Sequence, residues 1–342
     1  MPMAESPQPA PSTVPDSLAV IPGVRWFHLS DPSSSALDYL AGQFGIHPLQ
    51  VEDCRHRRQT ARLEEHERYT FVVIKVLVTP HGEHPADHGG APAASSDAPH
   101  AAPPTPSAAR LRFDDFDIFL GPDYILTVDE GNSSLVPAVL PRIAAEASLQ
   151  SPDRIAHALI DAAVDQYLPA LDRLGDFINQ LEDRVIRHAS PATLREIFRL
   201  KRTLLDFRRV ATAMREAVNG LVRRYDAPSA VARQADRELR VYYRDVYDHV
   251  VRVIDFIETY RDLLTGSLDI YLSAVANRTN EVMKILTIWG TIALPLLILT
   301  SFYGMNVDLP FQKHPYVLAI IGLAMGVSVL VIYRYFRRKH WF

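Results

Sequence analysis

Residues 282–302, VMKILTIWGTIALPLLILTSF, decide the fold of this chain, because they form an apolar run with one charge, Lys284, near its start. At about 1.5 Å of rise per residue, a helix of this length spans about 30 Å, the thickness of a bilayer's hydrocarbon core. A second run, residues 316–333, contains no charged side chain. We therefore predict two membrane-spanning helices, at 282–302 and 316–336. The alternative, two buried helices of a soluble domain, is disfavoured by their length and by the aromatic residues at their ends.

The distribution of charge predicts the orientation of these helices. Up to Glu281 the chain has 30 basic and 39 acidic residues, whereas the remainder has 6 and 1. Lysine and arginine concentrate on the cytoplasmic side of membrane proteins. We expect a plasma (inner) membrane protein with both termini in the cytoplasm and one short loop, residues 303–315, on the other side. Four cations follow the second run: Arg334, and then Arg337, Arg338 and Lys339 in the basic tail, residues 337–342.

The composition argues against several other classes of protein. The basic excess is confined to an otherwise apolar tail, which argues against a nucleic-acid binder. Cys54 is the single cysteine, so a disulfide framework and a four-cysteine zinc site are excluded. The sequence has no GxxxxGK[ST] phosphate-binding loop. We therefore expect a protein that is not an enzyme and does not use ATP.

Two features inside the apolar runs concern helix packing. Pro295 removes one backbone hydrogen bond from the first run, which is tolerated where a neighbouring helix or a water-filled cavity compensates. Gly322 and Gly326 form a GxxxG pair in the second run, which would allow another helix to approach closely.

The part before the apolar runs predicts a small α/β domain followed by helices. Residues 1–20 and 80–109 are rich in proline and alanine and lack helical or strand periodicity, which predicts a disordered tail and a disordered insert. The insert is either an ordinary linker or a metal-binding segment, since it contains His81, His84, His88 and His100. The α/β domain covers residues 21–150, with strands at 24–29, 69–78, 111–120 and 124–128 and a helix at 35–44 that ends at Gly45. Helices follow over 151–240, with Ser151 as the N-cap before Pro152.

A single long helix is predicted over residues 241–302. Apolar residues recur at every third and fourth position and continue into the first apolar run without a Gly or Pro pair to break the helix. Such a helix would be on the order of 90 Å long and needs neighbours along its length, so we expect an oligomer. The soluble part of the stripe consists of Tyr243, Tyr247, Val250, Ile254, Ile257, Arg261, Leu264, Leu268, Tyr271, Val275 and Arg278.

Two further tracks run along this helix. One repeats every seven residues and changes from acidic to membrane-compatible: Asp248, Asp255, Asp262, Asp269, Ala276, Met283, Gly290 and Leu297. In a ring of helices it would form an acidic mouth that concentrates cations, but it is equally consistent with the solvated face of a coiled coil. The second track is a candidate pore lining, because a lipid-facing helix would be uniformly large and apolar. It places small and weakly polar groups on one face: Asn280, Met283, Thr287, Gly290, Leu294, Leu297 and Ser301.

The tetrapeptide Tyr303-Gly304-Met305-Asn306 ends the first apolar run, and here the sequence resembles the CorA family of magnesium channels. The resemblance covers most of residues 25–342 and includes Phe44-Gly45-Ile46-His47-Pro48, Glu52-Asp53, residues 243–249 and residues 280–284. It implies an α+β membrane protein that forms a funnel-shaped homopentamer. In such a pentamer, five first spans line the pore and five second spans surround them.

The resemblance also implies roles for individual residues. Gly304, Met305 and Asn306 would form the selectivity filter, where neutral oxygens bind the water shell that Mg²⁺ gives up reluctantly. Gly304 would let the chain leave the helix with a backbone conformation that most residues resist. The pore-facing family positions are matched by Asn280, Met283, Leu286, Leu294 and Ser301, with Met283 and Leu286 at the narrow hydrophobic gate. Regulatory intracellular Mg²⁺ would bind between subunits at Glu52, Asp53 and Asp245, with Asp269 lower in the funnel.

Two departures from the family pattern concern ion preference and conductance. The loop after Asn306 reads Val307-Asp308-Leu309-Pro310-Phe311-Gln312-Lys313, whereas the family commonly has an acidic MPEL-like stretch. Leu297 also occupies a position that is polar in some members.

The sequence therefore favours a divalent cation channel for passive Mg²⁺ influx, with Co²⁺ and Ni²⁺ as further candidate ions. Intracellular Mg²⁺ would gate it, and no organic cofactor is expected. The first alternative is a ZntB-like zinc transporter, which the histidines of the insert favour and the GMN tripeptide, in place of GVN, disfavours. The second is a two-span receptor or anchor without a pore, which would not need the polar face of the first span.

Overall fold

The computed structural model describes residues 24–56, 59–78, 111–226, 234–305, 315–339 and 341. The whole of the predicted tail 1–20 and of the predicted insert 80–109, and the predicted filter residue Asn306, lie outside these described residues. The chain divides into two units. The first comprises Met1–Asp183 and Ala192–Gly266, and the second comprises Arg184–Pro191 and Ser267–Phe342.

The first unit contains a five-stranded mixed sheet with the strand order β1-β5-β4-β3-β2. Strand β1 runs parallel to β5, whereas the other neighbours are antiparallel. The four predicted strands are confirmed, and the polar edge strand β2 is an addition to them. The strands are β1 (Arg25–Leu29), β2 (Arg62–Glu65), β3 (Thr70–Val78), β4 (Arg112–Leu120) and β5 (Tyr124–Val128).

Strands β3 and β4 form a long antiparallel pair that brackets the predicted insert. Their register runs from Thr70 opposite Leu120 to Val78 opposite Arg112. The last residue of β3 therefore lies directly beside the first residue of β4. Residues 79–111 connect two points that the sheet already holds together.

Helices cover both faces of this sheet. On one face, helices α1 (Ser35–Phe44) and α2 (Pro48–Arg55) pack against Phe71 and Val73 of β3. Helix α1 ends at Gly45, whose φ of 67° is the left-handed conformation expected of a C-cap glycine. The other face carries α4 (Pro152–Asp165), which follows α3 (Leu135–Ala145). As predicted, the Ser151 side chain caps α4 by accepting a hydrogen bond from the backbone N–H of Arg154.

Asp117 is an acidic side chain in the middle of the sheet. It lies on β4 between Val73 of β3 and Val128 of β5, and it is almost completely buried. Its Oδ1 has no hydrogen-bond partner among the described residues, while Cys54 is hydrogen-bonded to the carboxyl group. Burial raises the pKa of Asp117 to about 7, since the charged form is poorly solvated there.

Four long helices complete the chain: α5 (Tyr167–Arg187), α6 (Pro191–Asp226), α7 (Gln234–Tyr303) and α8 (Val317–Arg338). Helix α7 has 70 residues and is therefore about 105 Å long. It contains Pro295 without being interrupted, so the predicted continuity between the long helix and the first apolar run is confirmed. Helices α7 and α8 each contain a segment long and apolar enough to cross a membrane.

The burial along α7 corrects one half of the predicted heptad stripe. Tyr243, Val250, Ile257, Leu264 and Tyr271 are buried, as predicted. The intervening positions are shifted by one residue: Val246 and Val253 are fully buried, whereas Tyr247 and Ile254 are only half-buried. The predicted stripe passes from Tyr243 through Tyr247 to Val250, whereas the buried side of the helix passes from Tyr243 through Val246 to Val250. An apolar sequence at both candidate positions could not distinguish these registers.

Candidate cation pathway and metal centre

The apolar part of α7 has one side whose side chains are at least partly buried within the second unit and another whose side chains are exposed. One side is buried or half-buried, and it comprises Lys284, Ile288, Ile292, Pro295, Leu299 and Tyr303. At about 100° per residue, the predicted pore face lies on the opposite side of the helix. Every residue of that face is exposed: Asn280, Met283, Thr287, Gly290, Leu294, Leu297 and Ser301. The small and weakly polar groups are therefore concentrated on a side that the chain itself leaves uncovered.

Thr287 provides a polar group on this face that is compatible with an apolar surrounding. Its hydroxyl donates a hydrogen bond of 2.8 Å to the carbonyl oxygen of Met283, one turn earlier. The donor is thereby satisfied within the helix, and the oxygen keeps its capacity to accept. Such an oxygen can accept a hydrogen bond from the water shell of a cation.

Gly290 and the two predicted gate residues are also open to their surroundings. A Cβ added to Gly290 would meet no atom within 4 Å, so packing within the chain does not explain the glycine. Met283 and Leu286 are 56% and 65% exposed, which is unusual for large apolar side chains unless lipid or another subunit covers them. The same holds for Gly322 and Gly326 of α8, since nothing in the described residues approaches the position of their missing Cβ atoms.

The end of α7 explains Gly304 differently from the sequence-based expectation. The Gly304 N–H donates a 2.9 Å hydrogen bond to the Thr300 carbonyl oxygen, and a Cβ would lie 2.9 Å from that same oxygen. Among the described glycines, only Gly45 and Gly131 have a positive φ. Gly304 therefore has no positive φ, and other residues would resist its conformation because their Cβ would be too close to the last helical turn. Met305 follows and is 51% exposed, while Asn306 lies beyond the described residues.

The four predicted regulatory carboxylates occupy α2 and α7. Asp53 accepts a 2.6 Å hydrogen bond from Arg62, and Glu52 lies 3.3 Å from His56. Asp245 lies 3.9 Å from the Nε2 of His249, one turn further along α7. Asp269 is exposed, as are Asp248, Asp255 and Asp262 on the same seven-residue track.

A group of possible metal ligands that the sequence reasoning missed lies next to Asp245. Asp161 and Asp165 of α4 and His249 of α7 each offer one ligand atom, and these atoms lie within 4.8 Å of one another. His249 stands between the two helices, because its Nδ1 is 3.7 Å from Asp165 and its Nε2 is 3.9 Å from Asp245. We call Asp161, Asp165, Asp245 and His249 the α4–α7 cluster.

The electrostatics of the α4–α7 cluster favour a positive charge. Burial raises the pKa of Asp161, and it raises that of Asp165, where the charges of Asp161 and Asp245 add to the effect; Arg142 and His249 act on both carboxyl groups in the opposite direction. Carboxylate oxygens are the ligands that Mg²⁺ prefers, and an imidazole also suits transition metals. A sequence signal was present, since Asp161 and Asp165, like Asp245 and His249, are spaced by four residues and share a helix face.

Comparison with known proteins connects this arrangement to one family. The profile of the CorA-like Mg²⁺ transporter protein family matches residues 22–96 and 99–338. The cobalt/magnesium transport protein CorA of Thermotoga maritima is 32% identical over 302 residues, which cover 87% of this chain and 77% of that protein.

Two solved structures share the fold. The complete CorA magnesium transporter from Methanocaldococcus jannaschii matches with a TM-score of 0.74 at 22% identity, over 94% of this chain and 92% of that one. The ZntB cytoplasmic domain from Vibrio parahaemolyticus matches with a TM-score of 0.55 at 10% identity, over 74% of this chain and 88% of that one. At these identities the structural matches establish a common fold for the magnesium and ZntB proteins and do not distinguish their ions. The profile match over most of the sequence, together with the Thermotoga relative, establishes that this chain belongs to the CorA-like Mg²⁺ transporter family.

Proposed function

We propose that the chain is one subunit of a homopentameric channel through which Mg²⁺ and Co²⁺ enter the cell. The observation that carries this proposal is the uncovered face of α7, on which small and weakly polar residues replace the large apolar residues that lipid would favour. Five copies of α7 facing one axis would cover this side and expose it only to a narrow aqueous path. The names of the Thermotoga and Methanocaldococcus relatives, cobalt/magnesium and magnesium transporters, agree with this ion class.

The proposed path has a neutral entrance and an apolar constriction. Asn306, with Gly304 and Met305, forms the entrance, where amide oxygens bind the hydration shell of the ion without removing its water. Leu297, Leu294 and Gly290 follow, and the hydroxyls of Ser301 and Thr287 offer further oxygens. Met283 and Leu286 form the constriction, and Asn280 lies on its cytoplasmic side.

Cytoplasmic Mg²⁺ regulates this path in our proposal. Glu52 and Asp53 of one subunit and Asp245 of the next share an ion, and Asp269 adds negative charge lower on α7. The α4–α7 cluster extends this site, because Asp245 already lies beside His249 in a single chain. When Mg²⁺ is scarce, the unscreened carboxylates repel one another and the ring of subunits loosens. The ion acts by binding the closed state more tightly than the open one.

The membrane potential drives uptake in this proposal, at about 4.6 kcal/mol per divalent ion for 100 mV. The chain works without an organic cofactor and acts by transport rather than catalysis. Both termini lie in the cytoplasm and α7 and α8 cross the inner membrane.

The decisive experiment is a flux assay in liposomes that contain the purified protein, with Mg²⁺, Co²⁺, Ni²⁺ and Zn²⁺ tested separately under a fixed potential. We expect Mg²⁺ and Co²⁺ to enter, and we expect Asn306→Ala to abolish both fluxes while leaving the oligomer intact. Asn277→Ala is the matched control, because Asn277 also lies on α7 but away from the proposed pore face. Normal flux through Asn306→Ala would refute the filter assignment. A preference for Zn²⁺ would favour the zinc transporter, and no flux of any ion would favour an anchor.

A further inference from the structure

The cytoplasmic end of α8 forms a hollow that the transport path does not use. It has a volume of about 450 Å³, and every lining residue belongs to α8: Leu330, Tyr333, Arg334, Arg337 and Arg338. These residues are spaced by three, four, seven and eight positions from Leu330, so they share one side of the helix. The hollow is therefore a groove with an apolar end and a cationic end.

The cationic end is not neutralised by the rest of the chain. In the ranges that the structure describes, no carboxylate pairs with Arg334, Arg337 or Arg338. The sequence also has no Asp or Glu after Asp308. Any cation in the last turn would stabilise the C-terminal helix dipole. The helix dipole therefore does not explain why three guanidinium groups within five residues line a single hollow.

The side chains suit a phosphate diester. A guanidinium presents its donors in a planar fork that binds two phosphate oxygens at once, which a lysine ammonium cannot do. Tyr333 adds a hydroxyl on the same side. The step from Leu330 to Arg338 covers about 12 Å along the helix, so a ligand must be apolar at one end and anionic at the other.

The position of the groove indicates where such a ligand comes from. Helix α8 is one of the two helices apolar enough to cross a membrane, and the arginines lie at its end, where a lipid head group would sit. This end is also held in place. Trp341 stacks on Phe336 at 5.1 Å, its backbone N–H donates to the Phe336 carbonyl oxygen at 3.1 Å, and the Lys284 ammonium lies 5.8 Å from the Trp341 ring centre.

We propose that this groove binds an anionic phospholipid of the cytoplasmic leaflet. The phosphate lies between Arg334, Arg337 and Arg338, and the glycerol and upper acyl chain follow Tyr333 and Leu330. A free phosphate ion would leave the apolar end of the groove unused, and a zwitterionic lipid would leave its own cation beside the arginines.

The test is a lipid titration of the purified full-length protein in neutral detergent with EDTA, read by native mass spectrometry and by the melting temperature. The probes are phosphatidylglycerol, phosphatidylcholine, and sn-glycerol 3-phosphate without acyl chains. We expect phosphatidylglycerol to bind at least tenfold more tightly than phosphatidylcholine and to raise the melting temperature. Glycerol phosphate should produce neither effect at the same concentrations.

Single-charge variants distinguish the groove from general surface charge. We expect Arg337→Gln to weaken phosphatidylglycerol binding about tenfold, whereas Lys339→Gln, which removes the same charge beside the groove, should change it less than threefold. Arg337→Lys preserves the charge and should still weaken binding severalfold, which covers the case that the glutamine variant fails to insert. Equal binding of both phospholipids, an equal effect of Lys339→Gln, or full activity of glycerol phosphate as a ligand would each overturn the proposal.

Discussion

Replacing Asp165 by asparagine tests whether the α4–α7 cluster takes part in regulation. The substitution keeps the shape of the side chain and removes one negative charge from a group of ligand atoms that lie within 4.8 Å of one another. If the proposed regulatory Mg²⁺ binds at this cluster, the Asp165→Asn variant needs a higher Mg²⁺ concentration than wild type to reach the closed state. A site confined to Glu52, Asp53 and Asp245 of adjacent subunits would leave that concentration almost unchanged.

The size of the effect follows from the geometry. Two unit charges at the 4.8 Å limit of the cluster interact by about 0.9 kcal/mol in water and about 3.5 kcal/mol at an effective dielectric constant of 20. The Asp165 side chain is 59% exposed, so solvent screening places the effect towards the lower value. Loss of about 1–2 kcal/mol of binding free energy corresponds to an increase of about 5- to 30-fold in the midpoint concentration of Mg²⁺.

Limited proteolysis of the full-length protein across a Mg²⁺ titration measures this midpoint. Wild type should become resistant as Mg²⁺ rises, and Asp165→Asn should need about tenfold more of the ion. Asp172→Asn on α5 is the control, since it removes an exposed carboxylate outside the cluster. A wild-type midpoint in Asp165→Asn, or an equal shift of the midpoint in Asp172→Asn, would refute a regulatory role of the α4–α7 cluster.

Three further predictions use the same protein preparation. Asp245→Lys should make the cytoplasmic domain protease-resistant with and without Mg²⁺, because an ammonium supplies the positive charge; Mg²⁺-dependent protection like that of wild type would place the regulatory site elsewhere. Deleting residues 81–108 shortens the connection between Val78 and Arg112 from 33 residues to 5. If the segment is flexible, as its composition predicts, the shorter connection raises the free energy of unfolding by roughly 1.7 kcal/mol. We expect a higher melting temperature and transport within a few-fold of wild type. A selective loss of Zn²⁺ or Co²⁺ transport would assign a function to the histidines. Asp117, with its pKa raised to about 7, is protonated in the folded protein over a range, from about pH 4 to pH 7, in which an unfolded aspartate is ionised. Stability should therefore fall as the pH rises towards 7, and a comparison of melting temperatures at pH 5.5 and 8 should show a smaller fall for Asp117→Asn; an identical fall would mean that another group titrates.

The elements that the sequence predicted well are those whose signals are local. The cap at Gly45 and the Ser151-Pro152 start of α4 depend on a few adjacent residues, and both are confirmed. Strand β2, with the sequence RLEE, has no apolar alternation, because its position at the sheet edge depends on pairing with β3. Helix α2 has only eight residues and a weak apolar stripe, so its helical periodicity was not detectable.

The candidate site shows the same division between local and long-range information. The face of α7 from Asn280 to Ser301 followed from helical spacing along one element, and each of its residues is exposed in the structure. The α4–α7 cluster required knowing that α4 and α7 lie side by side, since Asp165 and His249 are separated by more than 80 residues of sequence. The reason for Gly304 depended on the distance to a single carbonyl oxygen, which sequence spacing does not provide.

The adjacency of Val78 and Arg112 also makes this position a place where the protein can be extended. A foreign domain whose own termini lie close together could be spliced between β3 and β4 without altering their register, because the strands are already paired up to the junction. A fluorescent sensor inserted there would be attached to the sheet of the first unit, more than 100 residues before the start of α7 in the sequence. Such a fusion would report optically on the first unit in living cells.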